Sequence, residues 1–221
     1  MMRRLLKAFA TLLLALTSTA VLRAQPEAGQ GSMVAAPSQP EAVDLGLSVK
    51  WATCNLGADT PEASGEFYAW GEIAPKDDYT RDGYLLFADA VTKYRERFIL
   101  NRQLDAEDDV VQQRLGGGWR MPTFAETNAL VQECDWAWTE QNGVPGYKVT
   151  SRANGNSIFL PAAGYKEGGE LLFAGSAGRY WTATRHPYHW QCAMDLFFSD
   201  SFHYAYFYGR YRGYPIRPVC E

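Results

Sequence analysis

The chain has 221 residues, with 21 Lys and Arg against 25 Asp and Glu, a formal net charge of −4, and 14% aromatic residues. The acidic balance argues against a nucleic-acid partner, because phosphate binding needs a clustered basic surface. The length suits one domain, or one domain with a tail.

Arg3, Arg4 and Lys7 precede an apolar run over residues 8–16 and small residues up to Ala24. That order reads as a secretory signal peptide over residues 1–24, cleaved after Ala24. The apolar run is too short to cross a bilayer as a helix, so no transmembrane anchor is expected in the mature chain. Cleavage would remove Arg3, Arg4, Lys7 and Arg23 but no acid, moving the formal charge from −4 to −8. The expected location is therefore the periplasm or the cell exterior. Residues 25–42, rich in Pro, Gly, Gln and Ser, read as a flexible tether, and residues 43–221 as one domain. Cys54, Cys134, Cys192 and Cys220 permit two disulfides in an oxidising compartment, with three connectivities left open.

From residue 43 onward, Gly, Pro and Asn punctuate short apolar segments, the texture of many short strands. A helix is predicted to start at Asp105, with Asp108 three positions on and Val110 and Val111 inward. A calcium site built from Asp105, Glu107, Asp108 and Asp109 is the less favoured alternative. A second helix is predicted after Thr123, which has capping-box spacing to Glu126 and an apolar face of Leu130, Val131 and Cys134. Residues 147–151 and 157–160 flank Asn154 and Gly155 as a hairpin. Further strands are predicted over 180–184, 193–198, 202–208 and 216–220. In the second of these, Met194, Leu196 and Phe198 should face the core, with Ala193, Asp195 and Phe197 turned outward or toward an opposing element.

Several segments together resemble the Fibrobacter succinogenes major paralogous domain, a family of exported bacterial proteins related to the C-type-lectin-like fold. They are VDLGLSVKWATCNLG (43–57), YAWGE (68–72), GGGWRMPT (116–123), IFLPAAGY (158–165), Tyr180 with Trp181, and IRPVC (216–220). The resemblance implies an α+β domain with small twisted antiparallel sheets, one or two helices, long loops at one end, and neighbouring termini. It also implies that Trp51, Trp70, Trp119 and Trp181 anchor the core and that Arg120, Arg210 and Arg217 clamp loop carbonyls or carboxylates. The fold itself specifies no single function. The cysteine pair of formylglycine-generating relatives has no counterpart here, and the Glu-Pro-Asn or Gln-Pro-Asp tripeptides of calcium-dependent sugar binders are absent.

The most informative stretch runs from residue 179 to 214. It holds all three histidines and thirteen of the thirty-one aromatic residues. Tyr204, Tyr206 and Tyr208 share one face of a strand and are expected on its solvent side. His186 and His189 have HxxH spacing, and His203 could add a third nitrogen, but Pro187 places the pair in a loop and no metal or other cofactor is expected. No nucleophile elbow is present, so no enzyme is expected. The expectation is a ligand-binding surface for a protein or glycan. Tyr188, Trp190, Tyr204, Tyr206, Tyr208 and Tyr211 would supply stacking and hydroxyl contacts, and His186, His189, Asp195, His203 and Arg212 polar selection. The alternative is a surface-assembly subunit that buries the same aromatics against another chain.

Overall fold

The computed structural model describes residues 39–86 and 103–221. The segment expected as a signal peptide, and the tether up to residue 38, lie outside the described residues. The chain is a small mixed α+β protein, with two short helices and several small antiparallel sheets among the described residues.

The first sheet joins the two ends of the described region. Strand β1 (Ala42–Asp44) and strand β11 (Val219–Cys220) flank β2 (Lys50–Ala52), with Val43 and Val219 both opposite Trp51. The expected tether therefore ends early: Ala42 already pairs with Ala52, and the Gln39 amide donates to the Leu115 carbonyl at 3.3 Å.

Helix α1 (Val110–Leu115) starts five residues later than predicted. The backbone N–H groups of Asp108 and Asp109 both bond back to the Asp105 carbonyl, closing a turn before the helix begins. Asp109 is the N-cap, accepting from the backbone N–H groups of Val111 at 2.9 Å and Gln112 at 3.2 Å, and its other oxygen takes the Met121 N–H at 3.0 Å. A buried carboxylate with three backbone donors is fully used by the fold, which removes Asp109 from the calcium alternative. Asp105, Glu107 and Asp108 still gather their carboxylates within 4.8 Å of one another, the one such group of His, Cys, Asp or Glu among the described residues.

Helix α2 (Phe124–Glu133) begins at the predicted capping box: the Thr123 hydroxyl accepts from the Glu126 N–H at 3.2 Å, and Glu126 accepts the Thr123 N–H at 2.7 Å. Its buried positions are Thr127 and Leu130, and Cys134 opens the next strand instead of closing the helix.

Strands β3 (Cys134–Gln141), β4 (Val144–Ser151) and β5 (Ser157–Pro161) form an antiparallel meander. The β3–β4 connection is Asn142–Gly143, both at positive φ (49° and 81°), with Gln141 opposite Val144. This is the two-residue hairpin turn that matches strand twist, and the sequence reading overlooked it. The predicted Asn154–Gly155 turn joins the expected strands differently. Five residues separate β4 from β5, and only Gly155 has positive φ.

After a short hairpin of β6 (Tyr165–Glu167) and β7 (Glu170–Leu172), strands β8 (Ala177–Arg185), β9 (Cys192–Ser199) and β10 (Phe202–Gly209) form the third sheet, with β9 central. One face of this sheet joins a core with Trp51, Leu130, Val149 and Leu160 through Tyr180, Leu196 and Phe198. The other joins a core with Trp70, Trp119 and Tyr214 through Trp181, Ala183 and Ala193. Gly178 lies flat on the Phe198 ring, where a Cβ would stand 2.2 Å from a ring carbon, so the close strand approach depends on the missing side chain.

The four tryptophans assigned to the core are 0–4% exposed. Arg217 donates to Asn55 Oδ1 at 2.9 Å and to the carbonyls of Ala52, Thr53 and Phe159, tying the end of β2 and the turn after it to residue 159 of the later strand. Arg120 forks onto Glu126 at 2.6 and 2.9 Å. All four cysteines are free thiols, so the two permitted disulfides are not formed. The four sit on separate elements: the turn after β2, the starts of β3 and β9, and β11. Among the described residues no helix is long and apolar enough to cross a membrane.

Candidate functional site

Burial falls steadily across the third sheet. Eight of the nine residues of β8 are buried, β9 alternates irregularly, and β10 alternates between exposed and half-buried along its whole length. The cause is topology: β8 lies between two cores, whereas β10 is an edge strand among the described residues. Its even positions Phe202, Tyr204, Tyr206 and Tyr208 are 36–42% exposed. They form a continuous row, with Phe202–Tyr204 and Tyr204–Tyr206 centroids 5.5 and 5.6 Å apart and Phe197 of β9 packed edge-on to both Phe202 and Tyr204. Rings with polar tips, half buried and half wet, are suited to contact another molecule.

Arginines gather at the Tyr208 end of this row. Arg179 lies 4.0 Å from the Phe197 centroid and 4.6 Å from that of Tyr208, while Arg212 lies 4.1 Å from the Tyr208 centroid and 4.9 Å from that of Tyr211. Arg81 lies 5.9 Å from the Tyr211 centroid. Cation–π contacts of this kind hold rings in fixed planes. Arg212 is in turn forked onto Glu167 at 2.6 and 3.0 Å, and the Tyr211 hydroxyl donates to the same carboxylate at 3.1 Å.

At the Tyr208 end of the row lies a pocket of about 270 Å³, walled by Arg81, Trp190, Tyr206, Tyr208, Tyr211 and Arg212, with Tyr84, Cys192 and Arg210 among its other lining residues. Arg210 is buried, stacks on Trp70 at 4.4 Å and donates to the Cys192 carbonyl at 3.3 Å. Burial pulls its guanidinium down to about 10, so it keeps its charge at neutral pH. Burial pushes the Cys192 thiol up, away from nucleophilic thiolate character.

Of the residues singled out in the sequence, Trp190, Tyr206, Tyr208, Tyr211 and Arg212 meet at this pocket, and Tyr204 continues the row away from it. Tyr188 is 87% exposed on the adjoining loop. Three others are placed differently. Asp195 is fully buried and bonded to Arg179 at 2.6 Å, so it supports the arginine under the aromatic row and does not meet solvent. Burial raises its carboxyl to about 6 against the pull of Arg179. His186 is buried; its Nδ1 accepts the backbone N–H groups of Tyr188 and His189 at 3.2 and 2.9 Å, and its ring sits 4.0 Å from that of Phe207. It shapes the loop that carries Tyr188. His203 faces the opposite side of β10, stacked on Trp136 at 4.4 Å. Burial lowers the basicity of both His186 and His203. His189 packs beside His186 at 4.7 Å, and the three histidines form no ligand group among the described residues.

Five contributors escaped the sequence reading, Arg81 of the pocket wall among them. Arg179, Phe197 and Phe202 lie inside the aromatic stretch and could have been found by asking what cation fills the gaps between rings. Glu167 lies 45 residues from Arg212, and no local pattern joins them. Comparisons with known protein families, with curated proteins and with solved structures find no match.

Proposed function

We propose that this chain is an exported, non-catalytic recognition domain that binds a protein or glycan ligand on the aromatic row of β10 and its adjoining pocket. The observation that carries the reading is the exposed series Phe202, Tyr204, Tyr206 and Tyr208, whose last ring is flanked by Arg179 at 4.6 Å and Arg212 at 4.1 Å. A fold gains little from fixing rings in water, whereas a binding surface gains from losing less entropy on contact. Among the described residues, several small antiparallel sheets, few helices and first and last strands that both pair with β2 support a C-type-lectin-like fold as the finer assignment. The N-terminal basic and apolar pattern supports export.

One observation favours a second reading, a surface-assembly subunit. Strand β10 carries no charge and no Pro across eight residues and is an edge strand among the described residues, so it lacks the usual protection against strand pairing. The two readings separate in one experiment. The purified protein and a Tyr204→Ala/Tyr206→Ala variant are passed over arrays of glycans and cell-surface proteins, with sedimentation velocity run alongside. Recognition predicts a monomer that binds and a folded monomeric variant that does not. Assembly predicts a self-associating protein that the variant dissociates and no array ligand.

A further inference from the structure

The class of ligand can be narrowed, and the narrowing rests on the recognition reading above. The pocket beside Tyr208 combines ring walls from Trp190, Tyr206, Tyr208 and Tyr211 with the guanidinium groups of Arg81, Arg210 and Arg212, and among the described residues no carboxylate lines it. In a chain of formal charge −4 this is a local positive field walled by apolar surface, which concentrates anions. Glu167 occupies the fork of Arg212 from behind. Arg81 is exposed and makes no ion pair among the described residues; its guanidinium lies 5.9 Å from the Tyr211 ring centroid. An available planar fork of donors matches a carboxylate.

Size and shape then select the rest of the ligand. About 270 Å³ lies at the small end of ligand pockets and suits a single compact ring better than a length of chain. Flat aromatic walls reward a ligand with a ring face, and an acidic peptide offers its carboxylates on flexible methylene stems that leave those walls unfilled. The Gln191 side chain and the tyrosine hydroxyls of the lining can pair with ligand hydroxyls. We infer that the pocket takes an acidic saccharide, a sugar ring bearing a carboxylate, with the ring among Trp190, Tyr206 and Tyr211 and the carboxylate on Arg81.

The test is calorimetric titration of the purified protein with trigalacturonate, with neutral galactotriose and with hexaglutamate. The expected result is trigalacturonate binding roughly tenfold or more tighter than galactotriose, weakening with salt, and stronger than hexaglutamate. Arg81 is exposed, so Arg81→Gln should fold normally, and it is expected to bring the two sugars to within roughly threefold of each other. Equal binding of both sugars by the unaltered protein overturns the acidic selection while leaving the recognition reading standing. Hexaglutamate binding as tightly as trigalacturonate overturns the saccharide class. Failure of trigalacturonate to bind, with an array ligand still captured through Tyr204 and Tyr206, overturns this inference alone. Failure on both the titrations and the array overturns both.

Discussion

Strands β8 and β10 flank the same central strand, both are rich in aromatics, and they meet opposite fates. Tyr180 and Trp181 of β8 are 3% and 0% exposed, while Tyr204, Tyr206 and Tyr208 of β10 are each more than a third exposed. The difference lies in position. A strand between two cores must bury both faces, and a strand at an edge keeps one face wet. In β8 the rings hold the fold: the Trp181 indole donates to the Tyr68 carbonyl at 2.8 Å and stacks on Tyr214 at 4.0 Å. In β10 the even-numbered rings pack along one another, with arginines on Tyr208, and stay more than a third exposed. Stability should therefore reside in the first strand and binding in the second.

The most damaging test of that division is Trp181→Ala, which removes a fully buried ring and one of the two donors to the Tyr68 carbonyl, leaving it the Tyr214 N–H at 3.0 Å. A loss of about 3–5 kcal/mol is expected in chemical denaturation, enough to unfold a domain of ordinary stability.

The junction between the regions is the Arg179–Asp195 pair, and it should respond to pH. The folded carboxyl titrates near 6 against an ordinary value of 3.8. Between about pH 4 and 6 the unfolded chain therefore loses this proton first, and stability falls as pH rises, by about 3 kcal/mol. Above pH 6 the loss is complete. Depressed His186 and His203 act in the opposite sense, withdrawing stability as pH falls below about 6.5. The Asp195 contribution is isolated by subtraction: denaturation curves of Asp195→Asn should lack the fall between pH 4 and 6 while retaining the histidine part. An unchanged slope would mean that Asp195 is ionised in the folded state at ordinary acidic pH.

A smaller effect sharpens the comparison from the frame's side. Gly143 has φ of 81° and open space around the position of a Cβ, so Gly143→Ala measures backbone strain without a clash. It should cost about 1 kcal/mol in denaturation and leave binding unchanged.

How much of this was legible beforehand follows the range of each interaction. The Thr123–Glu126 cap spans three residues and was read correctly, because both partners lie within one turn of helix. The alternation 204, 206, 208 was equally local, and the exposed face is where the hydroxyls suggested. Asp195 was misplaced because a charged residue in a strand looks outward until its partner is known, and Arg179 lies on a neighbouring strand. The helix start failed because Asp105 and Asp109 are both plausible caps by residue type, and only the turn closed on the Asp105 carbonyl decides between them. Asn142–Gly143 was fully readable and missed, whereas the Glu167 support of Arg212 spans 45 residues and left no local mark.

The measurement that tests the division most directly pairs an unfolding curve with a binding isotherm for Tyr204→Ala/Tyr206→Ala, using whichever array ligand the unaltered protein captures. The account predicts a stability loss of no more than about 2 kcal/mol for two half-exposed rings together with loss of binding by roughly a hundredfold or more. Full-strength binding by a variant that has become markedly unstable would contradict it, placing the β10 rings in the frame and the recognition surface elsewhere.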